Sequence, residues 1–232
     1  MSVLTVAQAV AKKIGVAVPE TVASNTNREI VELFEIMNEM GERIMRGHDW
    51  RLLMTLETIT GDGSTEDHDM PADYDRMIND AKVWSSSLET PLSHIISVDD
   101  WLGLDIQSFD FVVNAWTLYG GQLHIKPALA TGVTAKYYYI SNKFAKDSGG
   151  TAKAAFTADT DEFRLDEQLL KLACIWAWKE SKGQSYAEPM MDYEFLLERL
   201  VARDGGSRDL VVGRRGRSNG VKTAYPKSIT VS

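Results

Sequence analysis

The chain has 232 residues, of which 44% are hydrophobic, 25% charged and 9% aromatic. These proportions argue against a disordered, collagenous or coiled-coil protein and supply enough apolar residues for a sizeable core. The formal net charge is −8, yet from Arg199 to Ser232 eight lysines and arginines face only Asp204 and Asp209, a net of +6 that leaves −14 on residues 1–198. An acidic body with a basic tail implies a polar partner that reads the tail, either nucleic acid or an acidic protein surface.

The length fits one domain with an insertion as well as two small domains. Cys174 is the single cysteine and no N-x-S/T acceptor occurs, so nothing points to a secreted, oxidised protein, and synthesis in a reducing cytoplasm is expected. Lys12, Lys13 and Pro19 interrupt the moderately apolar N-terminus, which lacks the layout of a signal peptide. The longest dense apolar run, Leu169 to Trp178, spans roughly 15 Å as a helix against a bilayer core of about 30 Å, so no membrane contact is expected.

In chain order, residues 3–14 read as a short helix ended by Gly15 and Pro19. Thr26-x-x-Glu29 has the form of a capping box, and Ile30, Leu33, Phe34, Met37, Gly41 and Ile44 then recur at helical spacing to about Gly47. Leu52 to Ile59 reads as a strand stopped by Gly61-Asp62-Gly63, and Glu66 to Asp69 as a loop. Short strands are expected at Tyr74 to Ile78 and Lys82 to Ser86, with Ser97-x-x-Asp100 capping a helical turn that holds Trp101 and Leu104. Phe111 to Tyr119, the pair Gly120-Gly121, and Gln122 to Lys126 form the clearest hairpin, because two glycines allow the positive φ angles of a tight primed turn. Another strand follows at Thr134 to Ile140.

Residues 145–160 are small and polar, the composition of a linker. Asp166 can cap a helix that runs to Lys182 and stops at Gly183. Pro189 opens the next, striped by Tyr193, Leu196, Leu197, Leu200 and Val201 and ended by Gly205-Gly206. The expected fold is therefore α+β: a helical bundle (1–50 and a hairpin at 161–204) interrupted by a β-rich insertion (51–144), a linker (145–160) and an extended basic arm (205–232).

Chemistry is hard to find. His48, His68, His94 and His124 are 20, 26 and 30 residues apart, which is not ligand spacing, and with one cysteine a structural zinc site is not expected. Gly61-Asp62-Gly63-Ser64-Thr65 and Ser148-Gly149-Gly150-Thr151 lack the lysine of a phosphate-binding loop. Asp159, Asp161 and Glu162 lack the pattern of a calcium loop. Cys174 sits in the most apolar helix, where a thiolate is disfavoured. No catalytic residue, cofactor or metal is therefore expected.

Nine of the ten positions from Leu169 to Trp178, all but Lys171, are apolar or small. Such a helix must be covered all round, either by the rest of the subunit or partly by a neighbouring one. Trp176 and Trp178 lie about 200° apart around it, so on the second arrangement one indole meets a neighbour, and Leu169, Leu172, Trp176 and Trp178 become the expected interface.

The stretch FRLDEQLLKLACIWAWKESKGQSYAEPMMDYEFLLERLVARDGGSR at 163–208 resembles the head-to-tail adaptor (connector, or tail tubular) proteins of tailed bacteriophages. Similar features are the apolar helix with a Trp-x-Trp-Lys ending, the Lys-Gly stop, the Tyr-Ala-Glu turn and the Arg-Asp-Gly-Gly end. Looser matches are 27–50, Met70-Pro71-Ala72-Asp73-Tyr74 with Arg76, Ile125-Lys126-Pro127 and Tyr137-Tyr138-Tyr139.

The resemblance implies a structural virion protein at the head–tail junction, assembled as a ring of twelve copies between the portal protein and a downstream tail or nozzle protein, with DNA passing through unread. Under it, residues 205–232 form a portal-docking arm in which Leu210, Val211, Val212 and Ile229 supply apolar contacts and Arg214, Arg215, Arg217 and Tyr225 polar ones. The alternatives are another tail-completion or stopper ring, or a nucleic-acid-binding protein using the three arginines. No aromatic row or recognition helix accompanies those arginines.

Overall fold

A computed structural model describes residues 1–88, 90–106 and 114–205. The first helices are α1 (Val3–Ile14) and α2 (Arg28–Gly47), followed by a 3-10 turn (Arg51–Leu53) and β1 (Met54–Thr60). The insertion continues with β2 (Asp67–Asp69), β3 (Tyr74–Met77), β4 (Trp84–Ser85), β5 (Ser93–His94), α3 (Val98–Ile106), β6 (Ala115–Tyr119), β7 (Gln122–Lys126) and β8 (Thr134–Ser141). Three two-residue strands, β9 (Ala145–Lys146), β10 (Ala152–Lys153) and β11 (Glu162–Phe163), lead into α4 (Glu167–Ser181) and α5 (Ala187–Asp204). The fold is α+β.

Local chemistry sets most boundaries. Ser2 caps α1 by accepting from the Thr5 amide, and Gly15 closes the helix at φ 78°. The start of α2 departs from the expected Thr26 capping box: Asn27 is the cap, accepting from the Glu29 amide at 3.0 Å. Asn25 fixes that register by accepting from the Asn27 amide. Asp166 caps α4 through the Leu169 amide, and Gly183 follows at φ 64°. α5 begins two residues before Pro189, which a first turn tolerates because its N–H groups have no intrahelical acceptor.

The bundle core joins α1, α2, α4 and α5 around Val6, Leu33, Met37, Ile44, Leu169 and Cys174. α4 lies against all three other helices, which is why it is apolar on nearly every side. Trp176 and Trp178 are each 3% exposed and belong to this one core. Trp176 takes the Arg43 guanidinium over its ring at 5.0 Å and stacks obliquely on Tyr193, while Trp178 lies under Lys182. The indoles do face different neighbours, as their spacing requires, but those neighbours are in the same chain. Leu169 is buried as well, and Leu172 is only partly exposed. The chain thus covers both indoles from within, and a subunit contact at Leu169, Leu172, Trp176 and Trp178 stays an expectation.

In the insertion, β8 is the central strand, with β1 antiparallel on one side and β3 and β4 on the other. A second sheet runs β2-β7-β6-β5, its hairpin closed by Gly120 and Gly121 at φ 61° and 80°. The expected first strand of that hairpin reached back to Phe111, and residues 111–113 lie outside those described. Inward side chains of both sheets, including Trp116, Ile125, Tyr137 and Tyr139, form a second core with Val83. β1 starts later than expected because Arg51–Leu53 turn first, which buries Leu53 and leaves Leu52 exposed.

Residues 145–160, linker-like in composition, are ordered and partly buried. β9 pairs antiparallel with β10 and with β11, Phe156 is buried in the bundle core, and Asp161 is 0% exposed. Its pairing partners and core contacts, not its composition, order this stretch.

Candidate functional site: junction and exposed apolar faces

Several residues of the family-like segments, Asp73, Arg76, Tyr139 and Arg164, meet where bundle meets insertion. Arg76 of β3 donates to the Asp49 carboxylate at 3.0 Å, to the Asp75 carboxylate at 2.6 Å and to the His48 carbonyl at 2.9 Å, just past the end of α2. Asp73 accepts from the hydroxyls of Tyr139 at 2.8 Å and Ser141 at 2.7 Å. Burial pushes its carboxyl pKa up, but those two bonds and nearby Lys143 outweigh it and hold the group below its ordinary value. Arg164 clamps the other side by donating to the Lys143 and Leu52 carbonyls. These charge-assisted bonds set the orientation of the insertion on the bundle.

The histidines are dispersed. His48 faces Asp204 at 3.4 Å, and His94 stacks on Trp116 at 4.0 Å. His124 pairs with Asp67 at 2.6 Å across the β2–β7 pair and stacks on Tyr119. The His68 Nε2 is buried without a hydrogen-bond partner among the described residues, and burial lowers the pKa of His68 and of His94. Cys174 is fully buried and its thiol pKa is pushed up by desolvation, opposite to what a nucleophile needs. Among the described residues no group of three or more His, Cys, Asp or Glu is placed to hold a metal ion, and no helix is long and apolar enough to cross a membrane.

What the surface offers is apolar area. On the outer face of the β1–β8 sheet, Leu56 lies directly opposite Tyr138 and Trp84 opposite Lys136. They border a depression of about 420 Å³. On α5, Met191 and Phe195 sit one turn apart and are 68% and 64% exposed. Ile96, Val98 and Leu102 form a third exposed group around the start of α3. Exposed apolar patches of this kind mark contact sites for other macromolecules. The expected arm residues Leu210, Val211, Val212, Arg214, Arg215, Arg217, Tyr225 and Ile229 lie outside the described residues.

A family model described as the SU10 adaptor protein matches residues 1–215. The chain belongs to the SU10 adaptor protein family. It is a structural adaptor of bacteriophage and a virion component, and its family is not a known enzyme family. Membership implies interaction with phage portal and tail proteins. No curated protein matches the chain.

Proposed function

We propose that copies of this adaptor form a closed ring, of twelve subunits, that joins the portal vertex to the tail and leaves an opening through which DNA passes. The observation that carries the proposal is the family match over 1–215, which spans bundle, insertion and the start of the basic tail. Exposed apolar faces on an otherwise well-packed chain support the assembly part of it. The net of −14 over residues 1–198 supports free passage of DNA, because a strongly basic opening would retain phosphates. The basic residues of 205–232 would dock on acidic groups of the portal, where arginines make charge-assisted bonds.

The test is attachment of the purified full chain to portal-bearing heads, followed by electron microscopy of the product. A ring of this protein between portal and tail is the expected result, and a chain lacking 207–232 should stay folded yet fail to attach. A full chain that neither attaches nor forms a ring would overturn the proposal. A truncated chain that attaches and completes infectious particles would overturn the role of the arm alone.

A further inference from the structure

Two of the exposed faces are complementary to each other. The strands of an antiparallel sheet with one wet face normally alternate apolar inward with polar outward. β8 obeys this inward, with Ala135, Tyr137 and Tyr139 buried, but outward it carries Tyr138, 51% exposed, beside Leu56 at 48% and Trp84 at 39%. The charges at this face are Lys82 and Lys136, with Asp80 on the rim, a net of +1. A sheet apolar on both faces needs a cover on both.

The outer face of α5 has the opposite charge. Met191 and Phe195 stand exposed between Glu188, Asp192, Glu194 and Glu198, with only Arg199 lying over the Phe195 ring at 5.7 Å to offset them. None of the four acids, and neither Lys82 nor Lys136, forms an ion pair among the described residues. Dimensions match as well: α5 has 18 residues and β8 has 8, each about 27 Å long at ~1.5 Å and ~3.4 Å per residue.

We propose that the outer face of α5 in one copy packs on the outer face of the β1–β8 sheet in the next copy, Phe195 and Met191 seating against Leu56, Trp84 and Tyr138. The occupant is a second copy of this chain because each face repels itself and attracts the other: helix against helix sets four acids against four, and sheet against sheet sets lysines against lysines. A contact between two different faces is head-to-tail, the kind that builds a ring when its rotation closes. The inference rests on the ring reading and specifies the surface that builds it.

Disulfide trapping in the full-length protein tests it, with buried Cys174 left in place. Chains carrying both Tyr138→Cys and Phe195→Cys should, on oxidation of the assembled protein, run as a ladder of covalent multimers, while each single variant should not. Phe195→Glu should lower the assembled fraction at least tenfold by native mass spectrometry with the melting temperature unchanged. Glu194→Lys with Glu198→Lys should weaken assembly, and Lys82→Glu with Lys136→Glu in the same chain should restore it. If wild-type rings form but no ladder appears and Phe195→Glu assembles like wild type, this pairing of faces is wrong and the ring reading stands. If the wild-type chain forms no ring alone or with portal, both fall.

Discussion

Replacing Asp161 tests whether the stretch between β9 and α4 is part of the folded body. The carboxylate is 0% exposed, and its Oδ2 accepts from the Lys153 ammonium at 2.6 Å, the Thr157 amide at 2.7 Å and the Ala158 amide at 2.9 Å. Its carbonyl accepts from the Val3 amide at 2.7 Å, which ties the segment to α1. Asp161→Ala leaves two amides without an acceptor, at about 1–3 kcal/mol each. Lys153 is 24% exposed and regains water, so its loss adds little. The expected destabilisation is about 3–5 kcal/mol, or roughly a 10 °C fall in melting temperature for a chain of this size. Asp161→Asn keeps an oxygen for the amides and loses the charge, so it should cost only about 1–2 kcal/mol. Differential scanning calorimetry gives the two values, and hydrogen exchange at Thr157 and Ala158 localises the change. If both variants melt within about 2 °C of wild type, or exchange at these amides is unaltered, the segment is not held as described.

Gly61→Ala should cost about 3 kcal/mol in urea denaturation, because its Cβ would stand 2.4 Å from the Leu129 carbonyl oxygen and 2.6 Å from that of Ala130; wild-type stability would refute that close approach. Gly41→Ala gains about 1 kcal/mol of helix propensity but puts a methyl 2.6 Å from the Phe144 ring, an overpacking cost of about 1–3 kcal/mol. It should therefore destabilise, and Gly41→Ala combined with Phe144→Leu should recover part of the loss; a stabilised single variant would show that the ring moves freely. Burial lowers the pKa of His68 and His94 from 6.5, so the unfolded chain takes up protons first as pH falls. Stability should be full above about pH 6.5 and decline toward pH 5.5, where the ordinary carboxylates are still charged. A urea midpoint flat from pH 7.5 to 5.5, or unchanged in slope after His68→Gln, would contradict this.

What was legible in the sequence follows the range of the forces involved. α1, α2, α4 and the Gly120-Gly121 hairpin are specified by signals a few residues apart: a cap, a periodic apolar face, a positive-φ stop. The one-residue slip from Thr26 to Asn27 shows the limit of such signals where several cap-forming residues are adjacent. Residues 145–160 have a linker's composition but take their order from distant partners. β9 takes its partners from residues 152–153 and 162–163, Ser2 bridges to Glu162, and Asn38 of α2 accepts from the Phe156 amide at 2.8 Å. None of these partners has a local signature.

The apolar surface is harder to read, because apolarity in a sequence does not say which side of an element it occupies. Of the two covers open to an all-apolar helix, the rest of its own chain supplies one: a four-helix arrangement surrounds α4, and Trp176 and Trp178 are core residues. The residues left uncovered are those that break a periodic pattern. Met191 and Phe195 lie off the α5 stripe of Tyr193, Leu196, Leu197, Leu200 and Val201, which packs inward. Tyr138 occupies the outward parity of β8 between inward Tyr137 and Tyr139. In a strand or an amphipathic helix a large apolar residue on the polar face is only partly covered by its own chain. Several such residues meeting on one face, flanked by charges mostly of one sign that lack ion-pair partners among the described residues, gain further from association. The informative signal for an assembling protein is therefore apolarity out of phase with its own secondary structure, which requires the phase of each element to be known before it can be read.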